Sequence, residues 1–233
     1  MLCGAAVAIS AGVDDIPADI EWRVSVAPVA YDKALRFMEE RAAAIRAGSA
    51  HECVWLLEHP PLFTAGTSAD PAELTNPMDF PVFEAGRGGR YTYHGPGQRI
   101  VYVMLDLEKR GKDIRCFVHG LEGWMIGALA EVGVSAHRAE GRIGIWVGDG
   151  ADEKKIGALG VRVKRWVTLH GFALNVAPDL AHFSGIVPCG IAEYGVTSLA
   201  ELGKQIAMTG VDTCLKRGFW PFLSSLERQC KES

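Results

Sequence analysis

Two side chains in this sequence, a cysteine and a lysine, stand in settings where they could react. Cys189 lies between Pro188 and Gly190, in an irregular turn that would hold its sulfur near the surface. Lys155 stands at the entrance to an apolar run, and the small residues after it leave room for a ligand along the backbone. Because a thiol reacts as its thiolate, which a nearby ammonium stabilises, the pair would suit nucleophilic catalysis. Taken singly, the lysine is more often a solvated surface charge.

A glycine-rich segment, residues 87–98, directly precedes an apolar run typical of a buried strand. It holds four glycines, two arginines and a histidine. Glycines let the backbone approach a ligand and point N–H groups at it, and the usual guest is an oxyanion or a phosphate. A basic surface turn is the alternative interpretation. The segment matches neither the P-loop nor the dinucleotide fingerprint, so a nucleotide site has no direct support. Residues 170–175, which include Gly171 and Ala173, form another segment where the backbone could approach a ligand closely.

Composition excludes several classes of protein. The 233 residues include 24 Lys or Arg and 28 Asp or Glu, a formal net charge of −4, and 48% are hydrophobic. Such a chain is expected to fold without disulfides or a metal, and its mild acidity argues against nucleic acid as a partner. The six cysteines never form Cys-x-x-Cys, which argues against a zinc site and favours a reducing, cytoplasmic compartment. No window has the apolar length of a membrane span.

Hydrophobic periodicity places these residues on an α+β framework. We expect strands at residues 23–29, 51–58, 98–105, 143–147, 156–164 and 166–175, and helices at residues 31–47, from residue 114 to Gly133, and at residues 211–227, the last interrupted by Gly218 and Pro221. Residues 70–90 show no sustained period and are expected to form a long loop. The grouping of strands predicts one domain, residues 21–233, with a mixed or antiparallel sheet flanked by helices. Residues 1–20 are expected to form an N-terminal extension whose order the sequence leaves open.

Together these segments resemble the octanoyltransferase family of lipoate biosynthesis, the lipoyl(octanoyl) transferases. The resemblance rests on residues 87–98, 155–160, 170–175 and 188–190, and it spans roughly residues 21–227. Gly157 departs from it, because alanine is common there in the family, and the first twenty residues have no counterpart. The resemblance implies a fold like that of the biotin and lipoate protein ligases and a catalytic domain without a cofactor or a metal.

The resemblance also implies a reaction and its participants. An octanoyl group would move from acyl carrier protein to a lysine of an apo lipoyl domain, in a 2-oxoacid dehydrogenase complex or in the glycine cleavage H protein. Cys189 would carry the acyl group as a thioester, and Lys155 would lower the pKa of that thiol. The residues expected to bind substrate are Arg87, Gly88, Gly89, Arg90, Tyr91, Thr92, Tyr93, His94, Ala158, Leu159, Gly160, Gly171, Phe172 and Ala173.

Within this set, more specific roles can be assigned to a few residues. Backbone N–H groups of Gly88, Gly89 or Gly190 are candidates for binding the tetrahedral oxyanion. His94 would either orient the carbonyl or line the pocket, and the sequence leaves this open. The basic side chains expected to meet an acidic carrier protein are those of Arg87, Arg90 and Arg162.

Two other functions remain open at this point. An ATP-dependent lipoate or biotin ligase would use the same fold but would need no cysteine nucleophile. A non-catalytic module that only recognises lipoyl domains or acyl carriers would need neither Cys189 nor Lys155. Transfer without ATP would separate the enzyme from the ligase, and an acyl adduct would separate it from the module.

Overall fold

The computed structural model describes residues 16–186 and 194–229, which form three helices and eleven strands. The helices are α1 (Tyr31–Arg46), α2 (Ile114–Glu131) and α3 (Met208–Gln229). The strands are β1 (Ile20–Val24), β2 (Glu52–Leu57), β3 (Leu62–Ala65), β4 (Val82–Glu84), β5 (Thr92–His94), β6 (Gln98–Met104), β7 (Ala136–Ala139), β8 (Arg142–Val147), β9 (Lys154–Lys164), β10 (Val167–Asn175) and β11 (Gly195–Val196).

The strands form two sheets. The larger sheet has the order β1-β2-β6-β10-β9-β8-β7, with β11 added beside β9, and the smaller has the order β4-β3-β5. Three pairs, β1 with β2, β3 with β4 and β9 with β11, are parallel, whereas the others are antiparallel. The predicted α+β domain with a mixed sheet flanked by helices is therefore confirmed.

Helices cover both faces of the larger sheet, which explains the continuous apolar run of β6. Val101 and Val103 of this strand belong to the hydrophobic cluster formed with α2 and α3. Ile100, Tyr102 and Met104 alternate with them and belong to the cluster formed with α1. Since both faces are buried, the strand has no polar alternation.

The long elements agree with the sequence prediction, and their ends differ by a few residues. Helix α1 ends at Arg46, and Gly48 follows in the left-handed region with φ +72°. The first strand, Ile20–Val24, starts three residues earlier and ends five residues earlier than predicted, because pairing with β2 sets its position. It therefore begins inside the predicted N-terminal extension, of which residues 1–15 lie outside the described part of the chain.

Helix α3 runs without a break through the two residues expected to interrupt it, so that prediction is wrong. Gly218 is needed there for packing, since a Cβ at this position would lie 2.8 Å from Cδ1 of Trp124. The Trp124 indole N–H donates a hydrogen bond of 2.8 Å to the carbonyl of Leu215 in the same helix. Pro221 lies on the exposed side of α3. Tertiary packing thus overrides the local tendency of glycine and proline to end a helix.

The predicted long loop at residues 70–90 is also wrong in part, because it contains the short strand β4. This strand pairs with β3, which in turn pairs with β5. The small sheet places the glycine-rich segment against the larger sheet, since the Gly88 N–H donates to the carbonyl of Val161 in β9 at 3.1 Å. No helix among the described residues is long and apolar enough to cross a bilayer.

Candidate active site

A cavity of about 490 Å³ lies where the glycine-rich segment approaches the larger sheet. It is lined by the predicted site residues Arg87, Gly88, Gly89, Arg90, Tyr91, Thr92, His94, Lys155, Ala158, Leu159, Gly160, Gly171, Phe172 and Ala173. Of the other two, Tyr93 does not line the cavity and Cys189 lies outside the described residues. Segments far apart in sequence therefore meet at one place.

Small residues in the larger sheet leave the space that the cavity occupies. Strand register aligns Ala158 with Ala173, which lies opposite Ile100. The neighbouring row aligns Gly160 with Gly171, which lies opposite Tyr102. At these two rows β9 and β10 therefore carry only a hydrogen atom or a methyl group as side chain, whereas β6 carries a large one. The surface of the sheet is recessed where the side chains are small.

The Arg87 side chain holds the glycine-rich segment to the small sheet. Its guanidinium donates to the carbonyl of Thr64 at 3.0 Å, to the Thr64 hydroxyl at 2.7 Å and to the carbonyl of Arg90 at 3.1 Å. The Arg87 residue is 7% exposed. The expectation that Arg87 meets an acidic carrier on the surface is therefore wrong. Arg90 and Arg162 are paired with acidic side chains, Glu73 and Glu39 respectively.

The backbone of this segment limits which groups can bind an oxyanion. The Gly88 N–H is already used in the hydrogen bond to Val161, so Gly88 is a poor candidate. Gly89 has φ +91°, a conformation that favours glycine. Its N–H group remains a candidate for binding the oxyanion. Gly190 lies outside the described residues.

Lys155 is buried at one end of the cavity, beside an aromatic ring. Its Nζ lies 4.7 Å from the centroid of the Trp146 indole, which faces it across the β8–β9 pair. Gly144 leaves room for the lysine stem, because a Cβ at this position would lie 3.0 Å from Lys155 Cε. The Lys155 carbonyl accepts a hydrogen bond of 2.9 Å from the N–H of Thr197, just after β11. The face of an indole attracts a cation, so this contact helps to position the Lys155 side chain.

A buried chain of hydrogen bonds determines which ring nitrogen of His94 carries the proton. The carbonyl of Thr197 can only accept, so the amide of Asn175 donates to it and the Asn175 side-chain oxygen faces Gln98. Gln98 therefore donates to Asn175 and accepts the proton of His94 Nδ1 at 2.7 Å. Burial lowers the pKa of His94 well below its ordinary value. His94 is thus neutral and only weakly basic, so it is a poor proton acceptor.

Two tyrosine–histidine pairs lie at the other end of the cavity, and sequence reasoning missed them. The Tyr31 hydroxyl lies 3.1 Å from Nε2 of His170, whose φ is +63°. His59 donates from Nδ1 to the carbonyl of Val29, so its Nε2 accepts the Tyr102 hydroxyl at 2.7 Å. Burial lowers the pKa of His59 to about 4 and that of His170 to about 3, so both are neutral at pH 7.

Tyr93 and the described cysteines belong to the core. The Tyr93 hydroxyl lies 2.7 Å from Nδ1 of His182, and its ring packs against Phe63 and Phe183. Burial raises the pKa of the Cys53 thiol to about 12 and also raises the pKa of the Cys214 thiol. Neither thiol is activated for reaction, as the sequence predicts. The described residues contain no cluster of side chains that could hold a metal ion.

Comparison with known proteins identifies relatives of this chain. The family model of the lipoyl protein ligase A/B catalytic domain matches residues 30–220. An octanoyltransferase from Sphingopyxis alaskensis is 67% identical over 207 residues, which cover 88% of this chain and 95% of the relative. These relationships extend over nearly all of the segments that line the cavity.

Solved structures with the same fold are more distant in sequence. A bipartite lipoate protein ligase from Thermoplasma acidophilum, studied with its E2 lipoyl domain, has a TM-score of 0.65 and 17% identity over 91% of each chain. A biotin protein ligase from Aquifex aeolicus has a TM-score of 0.50 and 13% identity, over 91% of this chain and 73% of that one. The biotin and lipoate ligase fold predicted from the sequence is confirmed.

Proposed function

Since the chain belongs to the lipoyl protein ligase A/B catalytic domain family, we propose that it moves an octanoyl group from a carrier thioester to a lysine of a lipoyl domain. The observation that carries this proposal is the meeting of Lys155, the glycine-rich segment and the small residues of β9 and β10 at one cavity. The relative from Sphingopyxis alaskensis is named octanoyltransferase, which supports the same acyl group and class of reaction.

In the proposed reaction the acyl group passes through Cys189. The Cys189 thiolate attacks the thioester carbonyl, the new carbon–sulfur bond forms, and the carrier thiolate leaves and takes a proton. The target amine then attacks the second thioester, loses a proton, and releases Cys189 as the thiolate. Exchange of one thioester for another is nearly balanced in free energy, and the amide formed in the second step is more stable, so ATP is not required. Two easier steps replace one difficult transfer.

Lys155 supplies the charge and the proton movements in this proposal. Its ammonium would stabilise the Cys189 thiolate and protonate the leaving carrier thiol. The neutral amine left behind would then accept a proton from the incoming lysine. Trp146 and the backbone contact with Thr197 support this role because they hold Lys155 at the cavity.

Chain connectivity supports the assignment of Cys189. Ile186, three residues before it, and Val196, seven residues after it, both line the cavity. Three residues of fully extended chain span at most about 11 Å. This spacing supports the proposal that Cys189 reaches the cavity that Lys155 lines.

The donor and acceptor remain part of the proposal. We infer that the donor is octanoyl-acyl carrier protein and that the acceptors are apo lipoyl domains of 2-oxoacid dehydrogenase complexes or the glycine cleavage H protein, all in the cytoplasm. The solved relative from Thermoplasma acidophilum was studied with an E2 lipoyl domain. An ATP-dependent ligase and a non-catalytic module are not favoured, because the relative of high identity is named octanoyltransferase.

The experiment that tests the proposal measures the covalent intermediate directly. The protein is mixed with octanoyl-acyl carrier protein without ATP, and its intact mass is recorded before and after addition of an apo lipoyl domain. We expect one octanoyl adduct on Cys189 that disappears as the lipoyl domain gains mass. Cys189→Ala should form no adduct, whereas the matched variant Cys116→Ser should react normally. Transfer by Cys189→Ala, or strict dependence on ATP, would contradict the proposal.

A further inference from the structure

The side chains that line the two ends of the cavity differ in exposure. Near Lys155 the cavity is lined by Gly141, in the turn between β7 and β8, and by Ile143 of β8, which is 61% exposed. At the other end Tyr31, Tyr102 and His170 are each no more than 3% exposed. In the proposed function the reacting carbonyl lies beside Lys155, and the apolar chain extends from there along the sheet toward these buried side chains.

Small residues line the part of the cavity between Lys155 and Gly160. Lys155 and Gly160 are five residues apart on β9, a distance of about 16 Å along an extended strand. Ala158 and Ala173 occupy the row between them. This part of the cavity is the space available to the acyl chain in the proposed function, on which the present inference rests.

The small-residue path ends at the row of Gly160. A Cβ at Gly160 would lie 2.7 Å from Cδ of Arg87, so the Arg87 stem already covers the sheet there. Tyr102 lies in the same row, opposite Gly171. The Tyr31 ring, at the start of α1, stands beside His170 with a centroid separation of 6.5 Å. Two tyrosines thus close the path where the glycines end.

Hydrogen bonds make this end of the cavity rigid. Tyr102 is tied through His59 to the backbone of Val29, and Tyr31 is paired with His170. Displacing either ring would leave a buried polar group without a partner, which is costly in a dry site. A flexible apolar wall would yield to a longer chain, whereas these rings are held in place.

We propose that Tyr31 and Tyr102, held by His170 and His59, form the end wall of the acyl slot and limit the length of chain that is transferred. Shortening either side chain lengthens the slot, and longer acyl groups then fit. Enlarging Ala158, which lies partway along the slot, shortens it. The residues that choose among acyl chains are therefore separate from Lys155 and Cys189, which perform the transfer.

The test compares carrier thioesters of six, eight, ten and twelve carbons as donors, with kcat/KM as the readout. In Tyr102→Ala and Tyr31→Ala we expect the dodecanoyl-to-octanoyl ratio to rise by at least about tenfold. Tyr102→Phe keeps the ring but loses the hydrogen bond to His59, so its ratio should rise much less than that of Tyr102→Ala. Ala158→Leu should shift the preference in the opposite direction, toward hexanoyl. Tyr93→Ala, which removes a buried tyrosine outside the cavity, is the matched control and should leave the ratios unchanged.

The outcomes separate this inference from the proposed function. If the unmodified enzyme transfers no octanoyl group, the proposed function fails. If it transfers octanoyl but the folded Tyr102→Ala, Tyr31→Ala and Ala158→Leu variants have the same kcat/KM ratios as the unmodified enzyme, the proposed end wall is wrong. Equal shifts in Tyr93→Ala would also overturn it. Should the alanine variants fail to fold, Ala158→Leu decides alone, because a shift toward hexanoyl supports the wall and an unchanged ratio refutes it.

Discussion

The Lys155 ammonium lies over the face of the Trp146 indole, with Nζ 4.7 Å from the ring centroid. The Arg142 guanidinium lies 4.5 Å from the same centroid and is paired with Glu153. One aromatic ring therefore positions two cations at the Lys155 end of the cavity. The face of the indole attracts cationic side chains and so helps to position Lys155 at the cavity.

Replacing Trp146 should slow the formation of the acyl adduct. Loss of a cation–π contact at a nearly dry site is worth roughly 1–2 kcal/mol, so we expect Trp146→Leu to acylate about tenfold more slowly. Trp146→Phe keeps an aromatic face and should lose less. The pH dependence of Cys189 alkylation should shift to higher pH in the leucine variant, since the thiolate is less well stabilised. Trp22→Leu removes a tryptophan that packs beside Trp124 and serves as the control; equal loss in both variants would contradict the prediction.

Exchanging Lys155 for arginine should separate its two proposed roles. Arginine keeps the positive charge, so Lys155→Arg should still form some octanoyl adduct. Its pKa is above about 12, and it cannot accept a proton from the target amine. We expect transfer to the lipoyl domain to be lost in Lys155→Arg and both steps to be lost in Lys155→Ala.

The two half-reactions must be measured separately, by intact mass for the adduct and by gel shift for the product. Lys154→Ala changes an exposed neighbour paired with Glu201 and should leave both unaffected. Full turnover by Lys155→Arg would reduce Lys155 to an electrostatic partner. Another base would then be needed, although the lowered pKa of His94 makes that residue a weak choice.

Two glycines with positive φ, Gly144 in β8 and Gly141 in the turn before it, offer a matched test of the space around Lys155. Gly144 has φ +120°, and a Cβ there would lie 3.0 Å from Lys155 Cε and 2.8 Å from the carbonyl of Gly157. Gly141 has φ +71°, and a Cβ there would meet nothing within 4 Å. Both alanine variants should lose about 1 kcal/mol or more of stability from backbone strain. Only Gly144→Ala should also slow acylation of Cys189. Equal activity in the two folded variants would show that Lys155 tolerates displacement.

The long elements of this fold could be predicted from the sequence because each carries its own signal. Phe117, Leu121, Trp124 and Ala128 of α2 recur at helical spacing and are buried, whereas Ile114, the first residue of the same spacing, is 41% exposed. The run of β6 is apolar throughout because both of its faces are covered. Short elements are different. Strands β3, β4 and β5 have only three or four residues each, and their pairing, not their composition, makes them strands.

The candidate site could be predicted in part. Lys155 and the glycine-rich segment are local motifs, and their resemblance to a family predicts that they meet. The Tyr31–His170 pair joins residues 139 apart in sequence, and although His170 belongs to the motif at residues 170–175, no local pattern pairs it with Tyr31. The sequence predicts that Arg87 both binds substrate and meets an acidic carrier protein. Its hydrogen bonds to Thr64 in another strand keep it buried, and no local pattern indicates them.

Buried histidines should make the fold sensitive to mild acid. The folded-state pKa of His59 is lowered to about 4 by burial, below the ordinary value of 6.5. Between these values the unfolded chain binds a proton that the folded protein excludes. The stabilisation is therefore complete above about pH 6.5 and is lost as the pH falls toward 4, at roughly 1.4 kcal/mol per pH unit for each such group. His170, with a pKa of about 3, acts in the same direction.

We expect the free energy of unfolding in urea to fall by about 3 kcal/mol or more between pH 7 and pH 4. His59→Gln preserves a donor for Val29 and an acceptor for Tyr102 but cannot titrate, so its stability should decrease less steeply over the same range. His51→Gln, at an exposed position before β2, should retain the slope of the unmodified protein. A His59→Gln variant with an unchanged slope would mean that His59 is not a neutral buried group whose protonation opposes folding.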